Sequence, residues 1–368
     1  PNSVVTISDG NTVLGTAIAN ASGTWTFTPT LAEGTHNFTV IATDPQGNVS
    51  DASTPWTVVV DTTAPTLPVI TSVSDNVEGG TGNLTNGQLT NDATPTLTGT
   101  GEEGSTVRIL DGNTVIGSVV VGEGGTWSFT PEPALTNGPH SLRVNAIDPA
   151  GNVSANSPVF TITVDITPPA APAITSVVDD VGPATGTLAS GASTNDNLPT
   201  FNGTGEVGAT IQIFDNDALI GTAVVSAAGT WTFTPTTALT DGPHVFSLSA
   251  VDAAGNVSPP SPAFTLNIDT QPPATPVLTS VTDDVPAGTG PLTNGQTTND
   301  NRPTLAGTAE AGSTVSIYEG TTLLGTVVAT NGNWTFTPTT PLADGSHNLT
   351  VTATDAAGNS STATGGFT

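Results

Sequence analysis

An all-β chain of tandem antiparallel sandwiches is the fold class this sequence predicts, on three observations. Gly and Pro together supply 71 of 368 residues (41 and 30), and aromatics only 5%. Such a composition suits short strands joined by turns and starves helices, which need long runs of Ala, Leu, Glu and Lys. Landmark words recur along the chain at a nearly fixed period, the mark of a repeat architecture. Between the turns, apolar and polar residues alternate with the period of a strand.

The period sets the domain boundaries. Trp25, Trp127, Trp231 and Trp334 fall 102, 104 and 103 residues apart, inside TWTFTP, TWSFTP, TWTFTP and NWTFTP. His36, His140, His244 and His347 follow the same spacing, as do Asp44, Asp148, Asp252 and Asp355, each opening a DxxGN word. Asp61, Asp165 and Asp269, 104 residues apart, stand in VDTTAP, VDITPP and IDTQPP, where a strand gives way to a proline-stiffened linker. On this alignment Pro1 corresponds to Glu103 and Phe367 to Phe160. The chain therefore reads as a segment of a longer array: residues 1–61 are a partial repeat without its first two strands, 62–165 and 166–269 are complete, and 270–368 lacks the end of its last strand.

Seven strands are expected in each complete repeat. In the third they are AITSV (173–177), PTFNGT (199–204), TIQIFD (210–215), LIGTAVV (219–225), TWTFT (230–234), HVFSLSAVD (244–252) and AFTLNID (263–269). About 104 residues in seven short antiparallel strands is the arithmetic of an immunoglobulin-like β-sandwich, here linked end to end. Cysteine is absent, so the disulfide of antibody domains is excluded while the architecture is not.

The charge balance narrows the partners. Thirty-one acidic residues face three arginines and no lysine, a surface that repels nucleic acid and anionic lipid and attracts cations. Without disulfides, an extracellular protein needs another staple. There is no signal peptide and no apolar run near the ~20 residues that span a bilayer, so any targeting or anchoring element is expected outside this chain, with no direct membrane contact.

The conspicuous residues read as structural. Each repeat's Trp lies two residues from a Phe, as in Trp231 and Phe233, so both face one side of a strand as a core pair. Trp56 aligns with Phe160 and Phe264 in the last strand and is assigned to the core with them. The single His per repeat shares the face of inward residues such as Phe246 and Leu248 and has no second His or Cys beside it. Nothing resembles a nucleophile elbow or a phosphate loop, so no enzyme is expected. The Asn-Val-Ser words after DxxG match a glycosylation acceptor but read better as loop-shaping.

The acids carry the functional expectation. Alternating strand directions place the long first loop, with its TND word, at one pole of a sandwich and the GTxExG and DxxGN loops at the other. Stacking such units brings unlike poles together at each proline linker. Around Asp165 this gathers Glu206, Asp252, Asp75 and Asp92; around Asp61 it gathers Glu102 and Asp148. Around Asp269 it gathers Glu310, Asp355, Asp179, Asp180 and Asp196, while Asp283, Asp284 and Asp300 form the same set at the far pole of the last repeat. Turn-forming alone would explain isolated acids. Two carboxylates ~5 Å apart, however, repel by roughly 1 kcal/mol in water and ~3 kcal/mol at an effective dielectric of 20. A hard divalent cation converts that repulsion to cohesion, and oxygen-rich loops suit calcium better than magnesium.

The words DDVG, TND, GTxExG, DGNTVIGS, TWTFTP and DAAGNVS together resemble the bacterial immunoglobulin-like repeats of giant type I-secreted adhesins, including biofilm-associated proteins and the extender regions of RTX adhesins. The resemblance covers all 368 residues. It implies an extracellular, surface-tethered, calcium-rigidified stalk that serves cell adhesion and biofilm formation, with host or surface ligands bound by other domains. Two alternatives stand beside it: a sandwich that grips sugar or ice through Thr and Asn rows or Trp, and accessory domains of a secreted polysaccharide enzyme.

Overall fold

The computed structural model describes residues 1–368, and every regular element in it is a strand. No helix is long and apolar enough to cross a membrane. The chain divides into two compact units, Pro1–Thr167 and Pro168–Thr368, each holding two repeats.

In the second unit, the third repeat is a complete sandwich. Ala173–Asp179, Thr200–Thr204 and Thr230–Phe233 form one sheet with the short Gly186–Leu188. Ala218–Val224, Thr210–Asp215, Gly242–Val251 and Phe264–Ile268 form the other, which ends on the three-residue Ala192–Thr194. Strand alternation does the sorting: Ile211 and Ile213 are wholly buried while their neighbours Thr210 and Gln212 are not, as a period of two requires. Phe201, Trp231, Phe246, Leu248, Leu266 and Ile268 complete the core, each contributing roughly 1.5–3 kcal/mol relative to exposure. Trp231 dictates a glycine opposite it. A Cβ on Gly203 would lie 2.1 Å from the Ala173 carbonyl and 2.3 Å from the indole, and Gly99 and Gly307 face Trp127 and Trp334 in the same way.

The two short strands were not expected, and one of them shapes the pole. Ala192–Thr194 runs parallel to Phe264–Ile268, with Thr194 opposite Ile268, and Asp269 N–H donates to the Thr194 carbonyl at 2.9 Å. The TND word is thereby fixed beside the strand end that carries the linker aspartate. The fourth repeat keeps both sheets, with Val277–Asp283, Thr304–Thr308 and Asn333–Phe336 facing Thr314–Glu319, Thr322–Val328 and Leu349–Thr354.

In the first unit, the second repeat repeats this architecture, again with a parallel edge in which Gln88–Thr90 pairs with Phe160–Val164. The first repeat is a single four-stranded sheet of Thr12–Ile18, Val4–Asp9, Gly34–Thr43 and Trp56–Val60. Its open face leaves Trp25 38% exposed, against 4% for Trp127. The assignment of Trp56 to the core is corrected: it is 73% exposed. In the second repeat the Gln88–Thr90 segment lies along the last strand, and Asn86 Oδ1 accepts from Thr161 N–H at 2.6 Å.

Candidate functional site

Each long loop holds a buried pair of carboxylates. In the third repeat Asp179 ends a strand, and its Oδ1 accepts the Val181 N–H at 2.8 Å, the turn an aspartate forms with its own backbone. Thr194 Oγ1 donates to Asp179 Oδ2 at 2.6 Å and accepts from Asp196 N–H at 3.1 Å. Asp196 in turn takes the Leu198 N–H at 2.8 Å and the Asp180 N–H at 3.3 Å. Both aspartates are 2% exposed. The same network joins Asp75, Thr90 and Asp92 in the second repeat and Asp283, Thr298 and Asp300 in the fourth. Asp180 and Asp284 lend only backbone N–H groups to it; their side chains are exposed.

Two local observations stand out in the loops of the second and third repeats. Burial pushes the Asp196 carboxyl above the ordinary carboxylate value, and the charges of Asp179 and Asp180 push the same way, against the N–H donors of Leu198 and Asp180. The middle residue of TND supplies the second. Asn91 and Asn195 spend their amide N–H on the carbonyls of Glu78 and Gly182, which leaves Asn91 Oδ1 and Asn195 Oδ1 buried without a partner. A buried orphan oxygen costs about 1–3 kcal/mol. These asparagines were not among the expected site residues, although each stands directly before the aspartate of its TND word.

The DxxGN loops form the opposing pole. Asp355 Oδ1 accepts the N–H groups of Ala357 and Asn359 at 2.9 Å each, and its Oδ2 accepts from Asn359 Nδ2 at 2.9 Å. Asp252 and Asp148 organise their turns in the same manner. At Asp148 burial opposes ionisation, but the donors of Asn152, Gly151 and Ala150 prevail and hold the carboxyl below its ordinary value. The loop-shaping role of the asparagine is thus visible, and it has a second part. Asn359 Nδ2 reaches across the linker to the Asp269 carbonyl at 2.7 Å, and Asn152 Nδ2 reaches the Asp61 carbonyl at 3.0 Å.

Within the second unit the two poles meet. Asn195 N–H donates to the Ala357 carbonyl at 3.0 Å, and the space beside Gly358 is bounded by Ala184 and Asn195. The TND loop of the third repeat and the DAAGN turn of the fourth are therefore in contact, as the alternation of poles requires. Asp269 Oδ1 accepts the Gln271 N–H at 3.1 Å, and Asp61 and Asp165 take Thr63 and Thr167 at 3.0 Å, so each closing aspartate turns its own linker. Glu102 Oε2 holds the Thr66 N–H at 2.9 Å, whereas the Glu206 and Glu310 side chains are exposed. No three acidic or histidine side chains close around a common point.

The histidines serve the fold. Nδ1 of His36, His140 and His244 meets the carboxylates of Asp9, Asp111 and Asp215 at 2.6–2.7 Å, and His347 meets Glu319. Nε2 meets the carbonyls of Ala32, Thr136, Thr240 and Ala343 at 2.7–2.8 Å. With an oxygen within hydrogen-bonding distance of each nitrogen, neither ring nitrogen is open to a metal. The carboxylate bond raises the pKa of His36 and of His347, the neighbouring carbonyl adds to it, and burial opposes both.

Comparison with known proteins follows the repeat boundaries. Residues 1–62, 66–166, 171–270 and 276–368 each match the family described as Bacterial Ig-like domain. Exoglucanase B of Cellulomonas fimi is 31% identical over 315 residues, which is 83% of this chain and 26% of that protein, so the chain spans about a quarter of this curated relative. Among solved structures, the tetra-tandem repeat in the extending region of a large adhesion protein aligns over 100% of this chain and 92% of its own at 20% identity and a TM-score of 0.32. The fibronectin(III)-like modules of Clostridium thermocellum CbhA align over 54% and 93%, at 17% identity and a TM-score of 0.33. Four family matches in series, laid over repeats built wholly of strands, make this chain a tandem array belonging to the bacterial Ig-like domain family.

Proposed function

We propose that the chain is an extender segment of a bacterial surface adhesin, a mechanical spacer whose repeat junctions are stiffened by calcium. One observation carries the reading: the DAAGN turn of the fourth repeat rests on the TND loop of the third, where buried Asp179 and Asp196 stand beside an amide oxygen without a partner. The donor set fits the ion. Asp179, Asp196 and the Asn195 amide offer oxygen ligands, exposed Asp180 lies in the same loop, and calcium takes six to eight such ligands with little demand on geometry. Asp75, Asn91 and Asp92 form the corresponding set in the second repeat, and Asp283, Asp284 and Asp300 in the fourth. Bound calcium would neutralise the buried carboxylates and tie loop to turn.

The chain's own residues supply the rest. Asp61, Asp165 and Asp269 set the linker turn, prolines such as Pro168 and Pro169 limit its bending, and Asn152 and Asn359 clasp the linker carbonyls. Such a segment works outside the cell, where calcium is abundant and affinities of ~0.1–1 mM suffice; type I export, adhesion and biofilm formation complete the picture. A second setting for the same spacer, between the domains of a secreted polysaccharide enzyme, rests on the match to a quarter of Exoglucanase B. The stiffening mechanism is common to both settings.

Small-angle scattering of the 368-residue chain with calcium and then with chelator tests it. Calcium should lengthen the maximum dimension and sharpen the profile towards that of a stiff rod. Superimposable profiles would overturn the reading.

A further inference from the structure

Two of the three arginines in this acidic chain share one outer sheet face of the second repeat. Arg108 lies in Thr106–Asp111 and Arg143 in the adjacent antiparallel Gly138–Ile147. Arg108 is opposite Asn145 and Arg143 is opposite Leu110, so the arginines are diagonal neighbours. Their flanking residues Val107, Ile109, Leu142 and Val144 are wholly buried, and alternation turns both arginines to the solvent side. Long side chains on such a diagonal reach one another.

With 31 carboxylates to three arginines, each guanidinium has had ample choice of a counter-ion, and neither has taken one. The four ion pairs of the structure are all histidine–carboxylate pairs. Neutral amides hold the arginines instead. Arg108 Nε donates to Asn145 Oδ1 at 2.9 Å, Asn145 Nδ2 donates to Asn156 Oδ1 at 2.8 Å, and an Nη of Arg143 donates to Asn113 Oδ1. Arg143 Nε is buried without an acceptor. Amides orient a guanidinium without cancelling its charge, so both side chains keep an uncompensated positive charge on this face. The scaffold does not require them: the same positions are Thr6 and Thr39 in the first repeat, Gln212 and Ser247 in the third, and Ser316 and Thr350 in the fourth.

We propose that this face of the second repeat binds a carboxylate carried on a hydroxyl-rich ligand, as on a uronic acid residue of an acidic glycan. The planar fork of a guanidinium matches the two oxygens of a carboxylate, and a pair of them can clamp one group. The surrounding Asn113, Asn156 and Ser118 are neutral and suited to sugar hydroxyls. A net charge of −28 opposes multiply charged ligands more strongly than a single carboxylate. The site stands apart from the calcium loops and does not depend on them.

Three arginines give a three-signal experiment. The full chain, labelled with 15N at arginine, is titrated with galacturonate, neutral galactose and inorganic sulfate while the Nε–Hε resonances are followed. Galacturonate should shift the Arg108 and Arg143 signals saturably in the millimolar range and leave Arg302 in place; galactose should shift none, and sulfate should act more weakly. R108Q and R143S, made singly with the residues that the third repeat carries at these positions, should each weaken the galacturonate response read at the remaining arginine of the pair and keep the wild-type melting profile. Absence of a saturable shift, equal shifts at all three arginines, a galactose response matching that of galacturonate, or tighter binding of sulfate would each overturn the proposal.

Discussion

The junctions at Asp61 and Asp269 are built alike in the linker and differently around it. At both, the aspartate caps the turn that follows, an asparagine from the next repeat clasps the aspartate carbonyl, and an acid from the preceding loop holds the linker. Glu33 accepts from the hydroxyls of Thr62 and Thr63, and Asp241 accepts from the backbone and hydroxyl of Thr270. Only at Asp269 does a TND loop lie against the next repeat, through the Asn195–Ala357 bond. Residues 1–61 contain no TND word. The linker turn at Asp61 is held by Asp61, Glu33 and Asn152.

Calcium should therefore separate the two junctions, and this is the largest effect expected. At a hundredfold excess over its dissociation constant, an ion bound only to the closed junction stabilises it by about 2.7 kcal/mol. Amides that exchange by local opening there should slow by about 100-fold. Hydrogen exchange read by mass spectrometry should show this slowing for residues 179–196 and 355–359 and no change for 61–66. Equal protection of both junctions, or of neither, would remove the acidic loop from the account.

Asp196→Asn sharpens the contrast because its sign reverses with the ion. Without calcium the substitution removes one of the negative charges that burial and Asp179 make unfavourable, and the third repeat should gain a few tenths to about 1 kcal/mol, reduced by solvent screening. With calcium the variant should lose most of the ion's stabilisation. The same charge sets a pH trend in calcium-free protein. The folded carboxyl has a raised pKa, so its penalty is present above that pKa and relieved as pH falls through it. Chemical denaturation of wild type and variant, each with calcium and with chelator, reads the crossing. Destabilisation of the variant under both conditions would show that the carboxylate serves the loop alone.

Much of this was legible in the sequence because repetition repeats the physics. Trp231 buries its indole against Gly203, and both recur at the same spacing in every complete repeat. The pole assignment needed only strand parity and the turn words, and the contact between TND and DAAGN follows it. What escaped has tertiary causes. Ala192–Thr194 and Gly186–Leu188 are three-residue strands, too short to display a period, and the first exists because Phe264–Ile268 offers it a parallel edge. Trp56 carries the same local pattern as Phe160, yet its exposure is decided by a covering segment that in the second repeat lies 75 residues upstream. The orphan oxygens of Asn91 and Asn195 depend on where the amide nitrogen finds its carbonyl, which composition and spacing do not state.

The histidine clasps of the first and fourth repeats differ in one residue, and this sets the smallest of the expected effects. His36 pairs with an aspartate, whereas His347 pairs with the longer Glu319, and the Ala343 carbonyl takes its other nitrogen. The hydrogen bond to Glu319 is the first cause of the raised His347 pKa, and burial opposes it. A folded pKa raised above the ordinary 6.5 means stabilisation that is complete below the unfolded value and lost as pH rises through the folded one. Alkaline titration should loosen the segment between Asn333–Phe336 and Leu349–Thr354, and Glu319→Gln should move the onset of loosening down towards pH 6.5. The imidazole 15N shifts of His347 provide the measurement. If they titrate at or below the ordinary value in the wild type, the ring is neutral at pH 7 and the clasp is a plain hydrogen bond.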